Sequence, residues 1–180
     1  MKQRWIYAVV AAIAVGITLC PATGQESAPK PGPEVERLAF LVGNWTLEGV
    51  VQPGVFGPGG KFSETSRGEW MEGGFFVIVH EHYAGAVGDS DAISFTGYDQ
   101  ERGVYTYWGF GSGGETEIST GQNTGNRWVW SRGGKMKGQA ATIRYTVVVT
   151  SPSTYSFKSE ISTDGANWTL FLEGNAHKGG

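Results

Sequence analysis

The sequence predicts an all-β protein, an antiparallel up-and-down β-barrel of about ten strands with one short N-terminal helix. Three observations carry this. From Trp45 onward the chain reads as short alternating segments with no second helical stripe. The breaks between the segments are glycine-rich and mostly of hairpin length, so each strand can pair with the next. Glycine reaches 29 of 180 residues, more than twice the usual share of about 7%, as many tight turns require. A ten-stranded sheet without helices to cover it most simply closes on itself, and a barrel wider than eight strands can leave interior room for a small ligand.

The chain begins with the features of an exported protein. "MKQR" carries two positive charges and Trp5 to Leu19 is an apolar or small run without a charge, which reads as a signal peptide over 1–24. The run is shorter than the roughly 20 residues a membrane-spanning helix needs. Ala22 and Gly24 offer small residues for cleavage, and the mature start is expected near Gln25. Lipoprotein processing at Cys20 is disfavoured by the bulky Leu19 before it. Cys20 is the only cysteine, so the mature domain must be held by its core rather than by disulfides. Losing Lys2 and Arg4 takes the basic count from 14 to 12 against 17 acidic residues, a net charge of about −5. Nucleic acid and anionic lipid are poor partners for such a chain. The expected location is periplasmic or secreted.

A Pro-rich spacer, 25–34, leads into a single domain over 35–180. "PEVERLAFLVG" reads as the one helix, with Pro33 in the first turn, a stripe of Leu38, Leu41 and Val42, and Gly43 as the stop. Strands follow at 45–52, 61–71, 75–84, 91–98, 103–110, 115–121, 126–132, 138–150, 154–162 and 166–176. Alternation assigns the inward face of several of them. Trp45, Leu47 and Val51 share one face. So do Ala141, Ile143, Tyr145, Val147 and Val149, and likewise Tyr155, Phe157 and Ile161. In the last strand Trp168, Leu170 and Leu172 are expected to point inward together. "FFVIVHEHYA" is ambiguous: Glu81 and Tyr83 share one side, His80 and His82 the other, and both faces begin apolar. On the second strand Phe62, Glu64, Ser66 and Trp70 share a face. Either assignment brings polar groups into an apolar lining, where they need a partner.

"NWTL" occurs at Asn44–Leu47 and again at Asn167–Leu170. No period recurs between the copies, and glycosylation of the two N-x-T triplets, both at strand starts, is not expected. One copy opens the first strand and the other the last. In a closed barrel these strands are antiparallel neighbours, with Trp45 and Trp168 toward opposite ends of the seam, each plugging one end of the interior.

Few motifs carry chemistry. "HEH" at 80–82 places two imidazoles ~7 Å apart on one strand face, a spacing some metal sites use, but His177, the only other histidine, falls on an outward face, and no metal site is assigned. "GFGSGG" at 109–114 matches G-x-G-x-x-G formally, yet strand-like "ETEIST" follows where a nucleotide loop would lead into a helix, so it reads as a hairpin turn. No serine, histidine and acid spacing singles out a triad. Paired aromatics, Trp128 with Trp130, Trp108 with Phe110, and Tyr105 with Tyr107, suit either the core or a cavity wall.

"LAFLVGNW", "GEWMEGGFFV", "TGYD" at 96–99 and "VYTYWGF" together resemble the bacterial domain-of-unknown-function family 1579 over about 140 residues, from Glu36 to Glu173. That family resembles calycins, the lipocalin-like barrels whose first strand opens with G-x-W, matched here by Gly43 and Trp45. The chain departs from the family pattern after Trp108, where an acidic residue is usual, and at its "HKGG" end. The resemblance implies a barrel with a ligand cavity and no established activity. The related nitrobindin-like barrels bind haem through a histidine near the C-terminus, a role that would fall to His177. No cofactor is otherwise predicted.

The favoured expectation is an exported non-catalytic barrel that binds a small apolar or amphipathic molecule. Its candidate lining is Trp45, Glu64, Trp70, His80, His82, Trp108, Trp130, Tyr145, Phe157 and Trp168, with Glu64, His80 or His82 as polar anchors. The alternatives are an isomerase or hydrolase using His80 or Glu81 as base, haem binding through His177, and a structural barrel of the cell envelope. A membrane-spanning barrel is not expected, since "KFSETSRGEW" and "GETEIST" give no lipid-facing apolar row. A closed barrel is compatible with a monomer or a weak homodimer.

Overall fold

A computed structural model describes residues 29–54 and 57–179. The export signal read over 1–24 lies outside the described residues. Ten strands follow a short helical segment: β1 Gly43–Val51, β2 Gly60–Trp70, β3 Phe76–Gly85, β4 Ser90–Asp99, β5 Val104–Gly111, β6 Thr116–Thr124, β7 Arg127–Met136, β8 Gln139–Ser151, β9 Thr154–Ser162 and β10 Thr169–Lys178. Each pairs antiparallel with the next, and β10 pairs with β1 to close the barrel. "GFGSGG" ends β5 and begins the hairpin to β6, as its sequence context predicts. The β7–β8 connection is a two-residue turn at Lys137 and Gly138, both with positive φ, the geometry whose twist matches the flanking strands.

The β1–β10 seam runs from Trp45 opposite Lys178 to Val51 opposite Leu172. At its middle Gly49 faces Gly174. A Cβ on Gly174 would overlap the Glu48 carbonyl and the Phe157 ring, and one on Gly49 would overlap the Glu173 carbonyl and the Phe62 ring. The two glycines therefore let the first and last strands meet under inward-lying phenylalanines.

The expected single helix is an α-turn, α1 at Pro33–Glu36, that tightens into a 3-10 turn at Arg37–Leu41 before Gly43 enters β1 with φ +113. The segment crosses one end of the barrel. Val35 and Leu38 are buried, and Phe40 packs on Trp128 at 5.2 Å and on Tyr155 at 6.1 Å. Burial of two aliphatic side chains of this size contributes roughly 3–6 kcal/mol before entropy is counted. Gly68 on β2 permits the approach, since a Cβ there would collide with the Leu41 carbonyl. Tyr105 Oη donates to the Glu34 carbonyl at 3.0 Å and Arg37 Nη1 to Asn123 Oδ1 at 3.3 Å, fastening the cap to β5 and β6.

The last strand corrects one expectation. A bulge at Phe171, between Leu170 and Leu172, reverses the alternation within β10. Leu172 stays inward opposite Ser159, whereas Leu170 pairs with the outward Glu160. Trp168, just before the strand, thus stands outside and lies under Arg144, whose guanidinium carbon is 3.8 Å from the ring centroid. Arg144 also holds Glu160 at 2.9 Å on that outer face. Trp168 does not plug the barrel.

The outer face also carries an apolar row. Ile78, Phe95, Trp108 and Ile118 are successive cross-strand partners on β3 to β6, and Trp108 meets Phe76 edge-on at 6.5 Å. The row is interrupted on β2, whose outward residues are Lys61, Ser63, Thr65, Arg67 and Glu69, so no continuous apolar belt surrounds the barrel. Among the described residues no helix is long and apolar enough to cross a membrane.

Candidate functional site

The interior holds a cavity of about 350 Å³, at the small end of the ~300–1,000 Å³ typical of ligand pockets. Phe40 and Leu41 line it at the end closed by the helical cap. At the other end Val87, in the β3–β4 loop and 38% exposed, lines it where it meets solvent. One wall is apolar, built from Trp45 and Leu47 on β1, Phe62 on β2, Trp130 on β7, Val147 on β8, and Tyr155 and Phe157 on β9. The other is polar, with Glu64 and Ser66 on β2, Glu81 and Tyr83 on β3, Ser94 on β4, Tyr107 on β5, Glu117 on β6 and Arg132 on β7.

The ambiguity of β3 is resolved by this lining. Val77, Val79, Glu81 and Tyr83 face inward, and His80 and His82 face solvent. Cross-strand partners share a face, and Glu81 lies opposite Ser66 while Tyr83 lies opposite Glu64. Outside, His82 Nδ1 is 2.9 Å from Asp91 Oδ1. Neither histidine reaches the cavity, so neither is its polar anchor, and His80 is not placed to act as a base there.

Of the candidate lining residues, Trp45, Glu64, Trp130, Tyr145 and Phe157 do come together around the cavity. His80, His82, Trp108 and Trp168 lie on the outer face. Trp70 has the inward alternation but sits two residues beyond Gly68, where the cap crosses, and is 36% exposed at the rim. The sequence reading missed Tyr83, Tyr107, Glu117 and Arg132 as lining residues. For Arg132 the signal was present, because it follows Trp130 by two positions on one strand.

Glu64 and Glu81 dominate the electrostatics. Burial raises the Glu64 carboxyl from 4.5 to about 8, with the Glu81 charge adding and the Ser66 hydroxyl partly opposing. Burial likewise raises Glu81 from 4.5 to about 7, against lowering contributions from the Ser94 and Tyr83 hydroxyls. Ser94 Oγ donates to Glu81 Oε1 at 3.1 Å, but the buried Oε2 has no hydrogen-bond partner in the protein. Trp45 Nε1, also buried, has no acceptor. Glu117 is raised by burial and lowered in part by Arg132, whose Nε is 2.9 Å from its Oε2. Burial also pushes the Tyr83, Tyr107, Tyr145 and Tyr155 hydroxyls up, so all four stay neutral and able to donate.

The sequence matches, over residues 30–178, the family described as "Protein of unknown function (DUF1579)". The chain belongs to the DUF1579 family. Among solved structures, this DUF1579 barrel is similar to that of Rv2717c from M. tuberculosis, with a TM-score of 0.56 and 13% identity over 83% of this chain and 99% of that one. At that identity the likeness concerns the fold alone. No curated protein matches the sequence.

The haem arrangement implied by the nitrobindin-like resemblance does not fit these residues. His177 is exposed on the outer side of β10, paired with Thr46 and Thr154, and no histidine is among the described residues that line the DUF1579 cavity. Among the described residues no group of three or more histidine, cysteine, aspartate or glutamate side chains is placed to hold a metal.

Proposed function

We propose that the protein is an exported, non-catalytic binding barrel that takes one small amphipathic molecule into its interior. The observation that carries this is the divided cavity, with aromatic rings along one wall and a buried glutamate oxygen without a partner on the other. Folded proteins pair nearly all their buried polar atoms, so an unpaired carboxylate oxygen facing a cavity suits a ligand donor group. The apolar wall would contribute affinity by burial and the polar wall orientation.

A neutral apolar fluorophore, N-phenyl-1-naphthylamine, tests the reading. Saturable emission enhancement at one site per chain is expected, and Ser159→Phe, which fills the cavity from β9, should remove it while leaving the circular dichroism spectrum unchanged. No saturable binding to the folded wild type would sink the proposal. A second reading has Glu81 as a general base, favoured by its place in the cavity and its raised value of about 7. In that case Glu81→Gln would abolish turnover of a substrate found by activity screening while His80→Ala would not.

A further inference from the structure

The interior charges do not balance. Among the described residues that line the cavity, three are carboxylic acids, Glu64, Glu81 and Glu117, and one is basic, Arg132. Arg132 is committed to Glu117 by its 2.9 Å contact. Glu64 and Glu81 therefore share a low-dielectric space without a cation of their own. They are diagonal neighbours on the inward face of β2 and β3, about 7 Å apart at the backbone. Two like charges so placed do not both ionise easily, and burial, with the Glu81 charge adding at Glu64, favours the protonated form of each.

We propose that the cavity is selective for a small organic cation, a protonated primary amine on an apolar or aromatic body, with its ammonium group held by Glu64 and Glu81. This rests on the reading of the cavity as a ligand site. An ammonium supplies the missing positive charge and an N–H donor for Glu81 Oε2. Aromatic rings attract cations and the polar wall includes Tyr83 and Tyr107, while the aromatic wall accepts the apolar body. An anion of the same shape would meet two carboxyls with no free basic group. A neutral alcohol would satisfy Oε2 but leave the charge uncompensated.

Binding should also release protons, because a bound ammonium lowers the affinity of both carboxyls for theirs. The other titratable or charged groups facing the pair are Tyr83 on β3, Tyr107 on β5, Glu117 on β6, Arg132 on β7, Tyr145 on β8 and Tyr155 on β9. The tyrosines are held neutral and Glu117 already has Arg132 as its partner at 2.9 Å, so Glu64 and Glu81 are the source of the released proton.

The test is isothermal titration of the purified protein at pH 7.5 with phenethylamine, 2-phenylethanol and phenylacetate, each in two buffers of different ionisation enthalpy. The amine should bind at least tenfold more tightly than the alcohol, with proton release, and phenylacetate more weakly than either. Glu64→Gln and Glu81→Gln should each narrow the preference for the amine and reduce the proton release, and the double variant should bring the amine to within about twofold of the alcohol and remove the release. Equal binding of amine and alcohol without proton release would overturn the amine selectivity and leave the cavity reading standing. No binding of any probe would remove both. Should either glutamine variant fail to fold, the wild-type probe order and its proton release decide the matter alone.

Discussion

Replacing Glu64 by glutamine should make the empty barrel more stable at alkaline pH. The folded carboxyl is raised from 4.5 to about 8 by burial and by the neighbouring Glu81 charge. A raised acid holds its proton more tightly in the fold than in the unfolded chain. Its stabilising contribution is complete below about pH 4.5 and is lost as pH rises toward 8, levelling off above. A difference of about 3.5 pH units at about 1.4 kcal/mol each amounts to about 5 kcal/mol at most. Glu81, raised to about 7, adds to the decline over a lower window, but mutual repulsion links the pair and the two contributions do not sum. Glutamine keeps the shape and removes the titration. Urea unfolding of both proteins at pH 5, 6, 7, 8 and 9 reads the effect. Wild-type stability should fall across this range. The variant should decline less and exceed wild type at pH 9 by several kcal/mol, roughly 10 °C in Tm for a domain of this size. A wild-type curve flat from pH 5 to 9, or the same slope in the variant, would refute the assignment of Glu64 to a buried interior.

Other consequences can be checked with single substitutions. Gly174→Ala forces a methyl against the Glu48 carbonyl and the Phe157 ring at the seam and should cost at least ~2 kcal/mol in chemical denaturation. Gly121→Ala meets the Trp130 ring and should both destabilise the fold and weaken binding of a cavity probe. Arg144→Ala removes the 2.9 Å ion pair to Glu160 and the contact with Trp168, costing about 1–3 kcal/mol while leaving probe affinity unchanged, since the whole cluster lies outside the barrel. His82→Ala loses only an exposed pair with Asp91, so stability should change by less than about 1 kcal/mol and binding not at all.

Much of this architecture is legible in the residue pattern, and the misses have identifiable causes. Alternation in β8 and β9 is uninterrupted through the cavity region, so Ile143, Tyr145, Val147, Tyr155 and Phe157 are assigned inward correctly from period two alone. In β10 one extra residue at Phe171 shifts the period, and a bulge leaves no mark that alternation can detect. The face of β3 is undecided from its own residues because its outer side also starts apolar, with Phe76 and Ile78 joining the row of Phe95 and Trp108. That same row explains Trp108. A large aromatic in a strand suits any half-buried pleated surface, and here the neighbouring strands provide one on the outside. Glu64 is read into the lining from the face it shares with Phe62, whereas the inward face of Glu81 was harder to see because a glutamate flanked by histidines reads as a solvated run. Its pairing with Ser66, on the face shared with Phe62, is a long-range fact that the strand alone does not contain.

The central claim is that the divided interior is a ligand site, and native mass spectrometry of the protein purified from its own cells tests it most directly. The account predicts a folded species heavier than the bare chain by one small organic molecule, with the extra mass lost on unfolding and absent from Ser159→Phe. A wild-type protein that arrives folded and bare, indistinguishable from the filled variant, would contradict it.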